Sequence, residues 1–286
     1  MKKILKMVVG GIAVCLLISG TSALWRTALC QTASATEATR VAAGNVPVTP
    51  AVEHPLMPVI RWAEQARPGI VAIRDYTAIL RKQENINGRL HAAQVMEIKV
   101  RHQPFSVYTR FLFPQDVAGQ QAIYVEGQNN NNLRGRGVGP IQGRLGWLSF
   151  PPDGIIPMDG QKYPITQIGI LNLVDELLKV GREKIRFGEC EVTYHERVIL
   201  GTGPSARETT MIQVVHPVRR DNFDFHKAMI FVDNELNLPI RYEAYCWPSA
   251  PGEPLPLIEI YWYTNLQINV GLTDADFDHT NPLYNP

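Results

Sequence analysis

Three aspartates stand within five positions in "YTNLQINVGLTDADFD", residues 263–278, and carboxylates spaced this way invite comparison with a metal-binding loop. An EF-hand loop needs oxygen ligands at alternate early positions, a glycine sixth and a bidentate glutamate twelfth. Counted from Asp274, the sixth residue is His279 and the twelfth is Asn285, so the comparison fails at both. A helix start accounts for every residue of the motif instead. Thr273 is an N-cap, Asp276 three residues later closes a capping box, and Leu272 and Phe277 form the two halves of a hydrophobic staple. Asp274 and Asp276 then fall in the first turn, where the helix dipole favours negative charge.

A second concentration, "VVHPVRRDNFDFHKAMIFVD", places His216, Arg219, Arg220, Asn222, Asp224, His226 and Asp233 within twenty positions. Such density suits a metal or acid–base site. The spacing matches no zinc signature, however, and His216 and His226 belong to different strands with a loop between them. A histidine at a strand end commonly serves as a hydrogen-bonded structural residue, so His216, Arg219, His226 and Asp233 stand as a polar cluster of open role. The sequence holds no G-x-S-x-G elbow, no H-E-x-x-H and no C-x-x-C, which weakens an enzymatic reading. Neither a metal nor a cofactor is expected.

The segment "EGQNNNNLRGRGVGPIQGRLGW", residues 126–147, follows a strand as a phosphate loop does, but neither the Lys-Ser/Thr pair nor a helix comes after it. Two readings stay open: a flexible connection with solvated arginines, or a basic lip of Arg134, Arg136 and Arg144 that meets anionic head groups at a cavity mouth. The aromatics are unevenly spread. As core residues they need no further explanation. As cavity lining, Trp62, Phe111, Phe113, Trp147, Phe150 and Trp262 suit an acyl chain, which asks for apolar surface and few polar contacts.

These residues must be held by the surrounding elements. "PLMPVIRWAEQAR" has helical spacing that Pro68-Gly69 should end, and "TQIGILNLVDELLKVG" has it again, with Thr166 as cap and Gly181 as stop. Between and after them, alternating runs bounded by turn residues read as strands. Asn87-Gly88 is a strong hairpin signal, with Tyr76, Ala78 and Leu80 on one face and Val95 expected on the partner. The fold class is therefore α+β, mainly antiparallel β, with nine or ten strands and two helices. A sheet that long curls or closes, and helices over one face leave an interior that is either a filled core or an apolar ligand cavity.

The N-terminus bounds the setting. Lys2, Lys3 and Lys6 flank the apolar stretch 7–18, and Ala33-Ser34-Ala35 supplies small residues, the layout of a secretory signal peptide cut after Ala35, with a cut near Ala23 as the alternative. A retained anchor is less favoured because the stretch is short for a bilayer span. No small residue precedes Cys15 or Cys30, which disfavours a lipoprotein signal. Residues 36–55 read as a spacer and 56–286 as one domain. Removing residues 1–35 takes the formal charge from +1 (28 basic, 27 acidic) to −3 (24 basic, 27 acidic), so nucleic acid is not an expected partner. Cys190 and Cys246 remain, either bridged or as two buried thiols.

Several strings, among them "YPITQIGILNLVDELL", "ELNLPIRYEAYCWP" and "NVGLTDADFD", resemble the motifs of an uncharacterised bacterial family, the domain of unknown function 1571, best represented in planctomycetes. The resemblance covers about residues 60–286 and carries no catalytic residues. More distantly, the order of an N-terminal helix, long antiparallel strands and "ELNLPIRYEAY" is similar to the periplasmic lipoprotein carriers of the LolA and LolB type. That resemblance implies a half-open barrel with helices as a lid over an apolar cavity. The chain departs from those carriers in its longer Gly/Asn loop and in "WPSAPGEPLP". The expectation is an exported, periplasmic protein that binds a lipid or lipoprotein acyl chain. A cell-envelope module with a protein partner and no ligand is the alternative, and an enzyme built on the His216–Asp233 cluster is the least favoured.

Overall fold

Long alternating runs and short turns build this protein, and both follow from residue type. The structure is a computed structural model and describes residues 53–284. The expected signal peptide, residues 1–35, and most of the expected spacer lie outside the described residues.

The chain enters through helix α1 (Met57–Ala72), and seven strands follow: β1 (Asp75–Ile86), β2 (Arg89–Leu90), β3 (Gln94–Arg101), β4 (Ser106–Phe113), β5 (Gln121–Val125), β6 (Leu133–Arg136) and β7 (Trp147–Phe150). Helix α2 (Ile170–Lys184) separates these from β8 (Glu191–Leu200), β9 (Arg207–Val215), β10 (Lys227–Asp233), β11 (Leu238–Tyr245) and β12 (Leu257–Ile268). The strands form one antiparallel sheet in the order β7-β6-β5-β4-β3-β1-β12-β11-β10-β9-β8, with β2 added to β1. The chain thus builds one wing outward from β1 and returns through α2 to build the other inward, and β12 closes the seam on β1. The outermost strands do not meet, so the barrel is half open. Side chains of β7 and β9 nevertheless line the same cavity. Laid flat these strands would stand about 40 Å apart at ~4.8 Å per strand, so the sheet is curled.

Asn87 and Gly88 both take positive φ (53° and 81°), the geometry of a two-residue hairpin turn. Tyr76, Ala78 and Leu80 are buried on one face, as expected. Val95 is not their partner: Leu80 pairs with Met96, and Met96, Ile98 and Val100 carry the buried face. A one-residue change of register exchanges the two faces of a strand.

Both helices run past their expected stops. Pro68 lies inside α1 because Ala66 and Ile70 are buried on either side of it, while Pro68 itself faces solvent, where water can satisfy the unbonded carbonyl. Gly181 lies inside α2 because α1 crosses there: a Cβ would sit 3.3 Å from Ile60 Cγ1, so glycine permits the close approach. Two ion pairs, Arg67–Asp175 (2.6 Å) and Arg182–Glu64 (2.6 Å), flank this crossing. Nor does Thr166 cap α2. The N-cap is Gly169, and the Ile170 N–H donates to the buried Tyr76 hydroxyl (2.9 Å).

The segment 126–147 contains the short strand β6 between two 3-10 turns, Asn129–Asn131 and Gln142–Leu145. Asn129, Asn130 and Asn131 all take positive φ, which asparagine tolerates, and the turn they form delivers β6 between β5 and β7. Cys190 and Cys246 are free thiols. They sit at the ends of β8 and β11, three strand spacings or about 14 Å apart, beyond the reach of a disulfide.

Candidate functional site

The inner face of the sheet does not pack fully against the helices. Between them lies a cavity of about 1330 Å³. Its apolar wall is built from the inward positions of the strands, such as Leu80, Met96 and Phe111, and from the sheet-facing side of α2, including Leu173 and Leu177. Helix α2 can face a void because it carries apolar residues at helical spacing while its exposed side bears Glu176, Lys179 and Arg182.

Of the six candidate aromatics, Trp62, Phe111 and Phe150 line this cavity. Trp62 is held by a hydrogen bond from its indole N–H to Asn237 Oδ1 (2.9 Å). The other three do not line it. Trp262 is one residue out of step with the inward Tyr261 and Tyr263, and lies against the Arg241 guanidinium on the opposite face (4.8 Å). Trp147 belongs to a separate apolar cluster with Tyr108, Phe277 and Tyr284. Phe113 is 50 % exposed at the end of β4, beyond the bulge that follows Phe111.

The polar cluster His216, Arg219, His226, Asp233 is not one site. His216 and His226 do meet: the His216 N–H donates to the His226 carbonyl (2.8 Å), and His226 Nδ1 lies 3.0 Å from the His216 carbonyl. His216 also lines the cavity, stacked on Phe223 (4.0 Å), and burial lowers its pKa below the ordinary histidine value. Arg219 is exposed on the loop between β9 and β10. Asp233 lies at the far end of β10, about 20 Å away at the strand rise. There its carboxylate accepts from Arg207 (2.6 and 2.9 Å) and from the N–H groups of Glu235 and Leu236. Burial alone would raise the Asp233 pKa, but these hydrogen bonds outweigh it and hold the group below the usual carboxylate value.

The aspartate motif is likewise structural. Thr273 and Asp276 form the capping box of a one-turn 3-10 helix, Asp274–Phe277. Asp276 also pairs with Lys99 (2.7 Å) and Asp274 with Arg101 (2.7 Å). Phe277 and Tyr284 thereby cover Tyr108 and Ile123 on the sheet face away from the cavity. Among the described residues, no group of three or more His, Cys, Asp or Glu side chains is placed to hold a metal.

Sequence reasoning missed a charged patch of the cavity wall. Lys82 and Glu84, on inward positions of β1, pair at 2.9 Å with side chains only 7 % and 3 % exposed. Glu259 stands directly opposite Glu84 on β12. A loop residue, Lys162, reaches over both: its ammonium meets Glu259 (2.6 Å) and its backbone N–H donates to Glu84 (3.0 Å). The Tyr261 hydroxyl donates to Glu84 (2.5 Å) and the Tyr163 hydroxyl to Glu259 (3.2 Å), and burial raises both phenol pKa values. One signal was legible: a lysine and a glutamate continue the inward alternation of Tyr76, Ala78 and Leu80.

Residues 73–286 match the family described as "Protein of unknown function (DUF1571)". The chain belongs to this DUF1571 family. No curated protein matches the sequence. Among solved structures, the DUF1571 chain is similar to the Mycobacterium tuberculosis lipoprotein LppX, at 11% identity over 77% of this chain and 98% of that one (TM-score 0.41). It is also similar to a DUF1329 family protein from Desulfovibrio piger, at 13% identity over 80% and 99% (TM-score 0.37). A LolA superfamily protein from Nitrosomonas europaea matches at 10% identity over 76% and 97% (TM-score 0.28). Among the described residues of the DUF1571 protein, no helix is long and apolar enough to cross a membrane.

Proposed function

We propose that this DUF1571 protein is an exported carrier or sensor that holds the acyl chain of a lipid or lipoprotein in the cavity between sheet and helices. The cavity itself supports this reading. At about 1330 Å³ it exceeds the ~300–1,000 Å³ of ordinary small-ligand sites, and its wall is mainly aliphatic and aromatic. Interiors are normally filled to crystal-like density, so an unfilled apolar space of this size is costly unless a ligand occupies it. Covalent chemistry has no part in the proposal: the buried charges on the wall, Lys82, Glu84 and Glu259, are held in ion pairs and hydrogen bonds with one another, Lys162 and Tyr261 rather than arranged around a nucleophile.

The rim favours exchange at a lipid surface. Leu145, Leu148 and Ile156 both line the cavity and are exposed. Arg144, exposed beside Leu145, suits anionic head groups, whereas Arg134 stands opposite Ile123 and Arg136 donates to the Tyr284 carbonyl on the face away from the cavity. The proposal is tested on residues 36–286 prepared from a periplasm. Native mass spectrometry with solvent extraction should find a co-purifying acyl species, and the delipidated protein should bind a fluorescent fatty-acid probe saturably. Absence of both would overturn the reading and favour an envelope module that acts through a protein partner.

A further inference from the structure

The cavity wall is mainly apolar, and one of its charged patches is built with an unusual balance. Lys82, Glu84, Lys162 and Glu259 bring two positive and two negative groups together, so the formal charge there is zero. Three of the four serve a structural end. Lys162, through its ammonium and its backbone N–H, ties the loop after β7 onto Glu84 and Glu259, and so separates two carboxylates that would repel across neighbouring strands.

That tie leaves Lys82 and Gln94 unexplained. Lys82 is buried within the sheet, and its ammonium makes one hydrogen bond, to Glu84, out of the three it can donate. Gln94 is its cross-strand neighbour on β3 and also lines the cavity. Its Oε1 is buried with no hydrogen-bond partner. Buried polar atoms are rarely left unpaired, so an unsatisfied acceptor beside an under-used donor at a cavity wall marks a place for a polar group from outside the chain.

We infer that the cavity's ligand carries an uncharged hydrogen-bonding head, a hydroxyl or amide, and that Lys82 and Gln94 receive it within a charge-balanced subsite completed by Glu84, Lys162 and Glu259. The inference rests on the acyl-binding reading and names the class of amphiphile. A hydroxyl or amide donates to Gln94 Oε1 and accepts from Lys82 at once. An ionised carboxylate offers no donor to Gln94, and it leaves one negative charge uncompensated in a site sheltered from water. An alkylammonium offers no acceptor to Lys82 and leaves one positive charge. Either imbalance is costly because sheltered charges keep most of their desolvation penalty.

The test compares ten-carbon amphiphiles that share a chain and differ only in the head: decanamide, decanoate and decylammonium, titrated by calorimetry into delipidated residues 36–286 at pH 8. Decanamide should bind at least tenfold tighter than either ion. Lys82→Met makes the subsite net negative and should move decylammonium up at least tenfold relative to decanoate, whereas Glu259→Gln makes it net positive and should do the reverse. Gln94→Leu should weaken decanamide about tenfold and leave its methyl-ester analogue, which has no donor, within threefold. Equal affinity for the three heads in the parent protein overturns the inference and leaves acyl binding standing. Binding of none of them overturns the acyl reading beneath it. The parent ranking decides the matter even where a variant fails to fold.

Discussion

Filling the cavity from one wall separates a ligand site from a loosely drawn core. Ala122 lies on β5, between Thr109 of β4 and Gly135 of β6, lines the cavity and is only partly buried. In Ala122→Phe the ring projects into the cavity, where it removes its own surface and that of its neighbours from water. Full burial of a phenylalanine side chain is worth ~1.5 to 3 kcal/mol. With half of that realised, the ligand-free protein gains about 1 kcal/mol, or about 2 to 4 °C in Tm for a domain of this size. If the space were already filled, the same ring would overpack it and cost ~1 to 3 kcal/mol, so the sign of the change is diagnostic. Ala122→Val, which adds strand propensity and little volume, is the control. Thermal unfolding of delipidated protein should therefore give a rise for Phe above that for Val, with amphiphile affinity lowered at least tenfold in the Phe variant alone. A fall in Tm with unchanged affinity would refute both the cavity and its role.

Three further predictions separate structural groups from the site. Asp276→Ala removes the capping box and the Lys99 pair, so it should cost about 1 to 2 kcal/mol in urea unfolding and leave amphiphile binding unchanged, because both contacts lie on the face away from the cavity. A shift in affinity would contradict that placement. Asp233→Asn should destabilise at neutral pH. The Asp233 pKa is depressed in the folded state, so its contribution is complete above the unfolded carboxylate value of ~3.9 and is lost as pH falls through the lower folded value. Parent and variant stabilities should therefore converge in strong acid, and a constant gap would argue against the linkage. Burial lowers the pKa of both His216 and His102, the opposite case for a base: below ~6.5 the unfolded chain takes up protons more readily than the folded chain. Stability should fall between pH 7.5 and pH 5, and His216→Gln should have a shallower slope than the parent.

The sequence by itself determined the features that rest on neighbouring residues. Alternation specified most of the strands and the antiparallel class, Asn87-Gly88 specified a turn through the positive φ of both residues, and Thr273 with Asp276 specified a cap that closes within four residues. Tertiary structure decided everything that depends on what lies across the interior. Pro68 and Gly181 read as helix stops, yet the chain continues through both because the contact between α1 and α2 outweighs local preference. Alternation showed that Trp262 is apolar and sheet-bound but could not show which face it occupies, since that depends on register with β1 and β11. The charged patch of the cavity wall was the least legible. Lys82 and Glu84 meet Lys162 from a loop about 80 residues later and Glu259 from about 175 residues later, and only the curl of the sheet and the closure of β12 on β1 bring them together. Charges that distant in sequence leave no periodic trace, because their spacing is set by chain topology and not by the repeat of any one element.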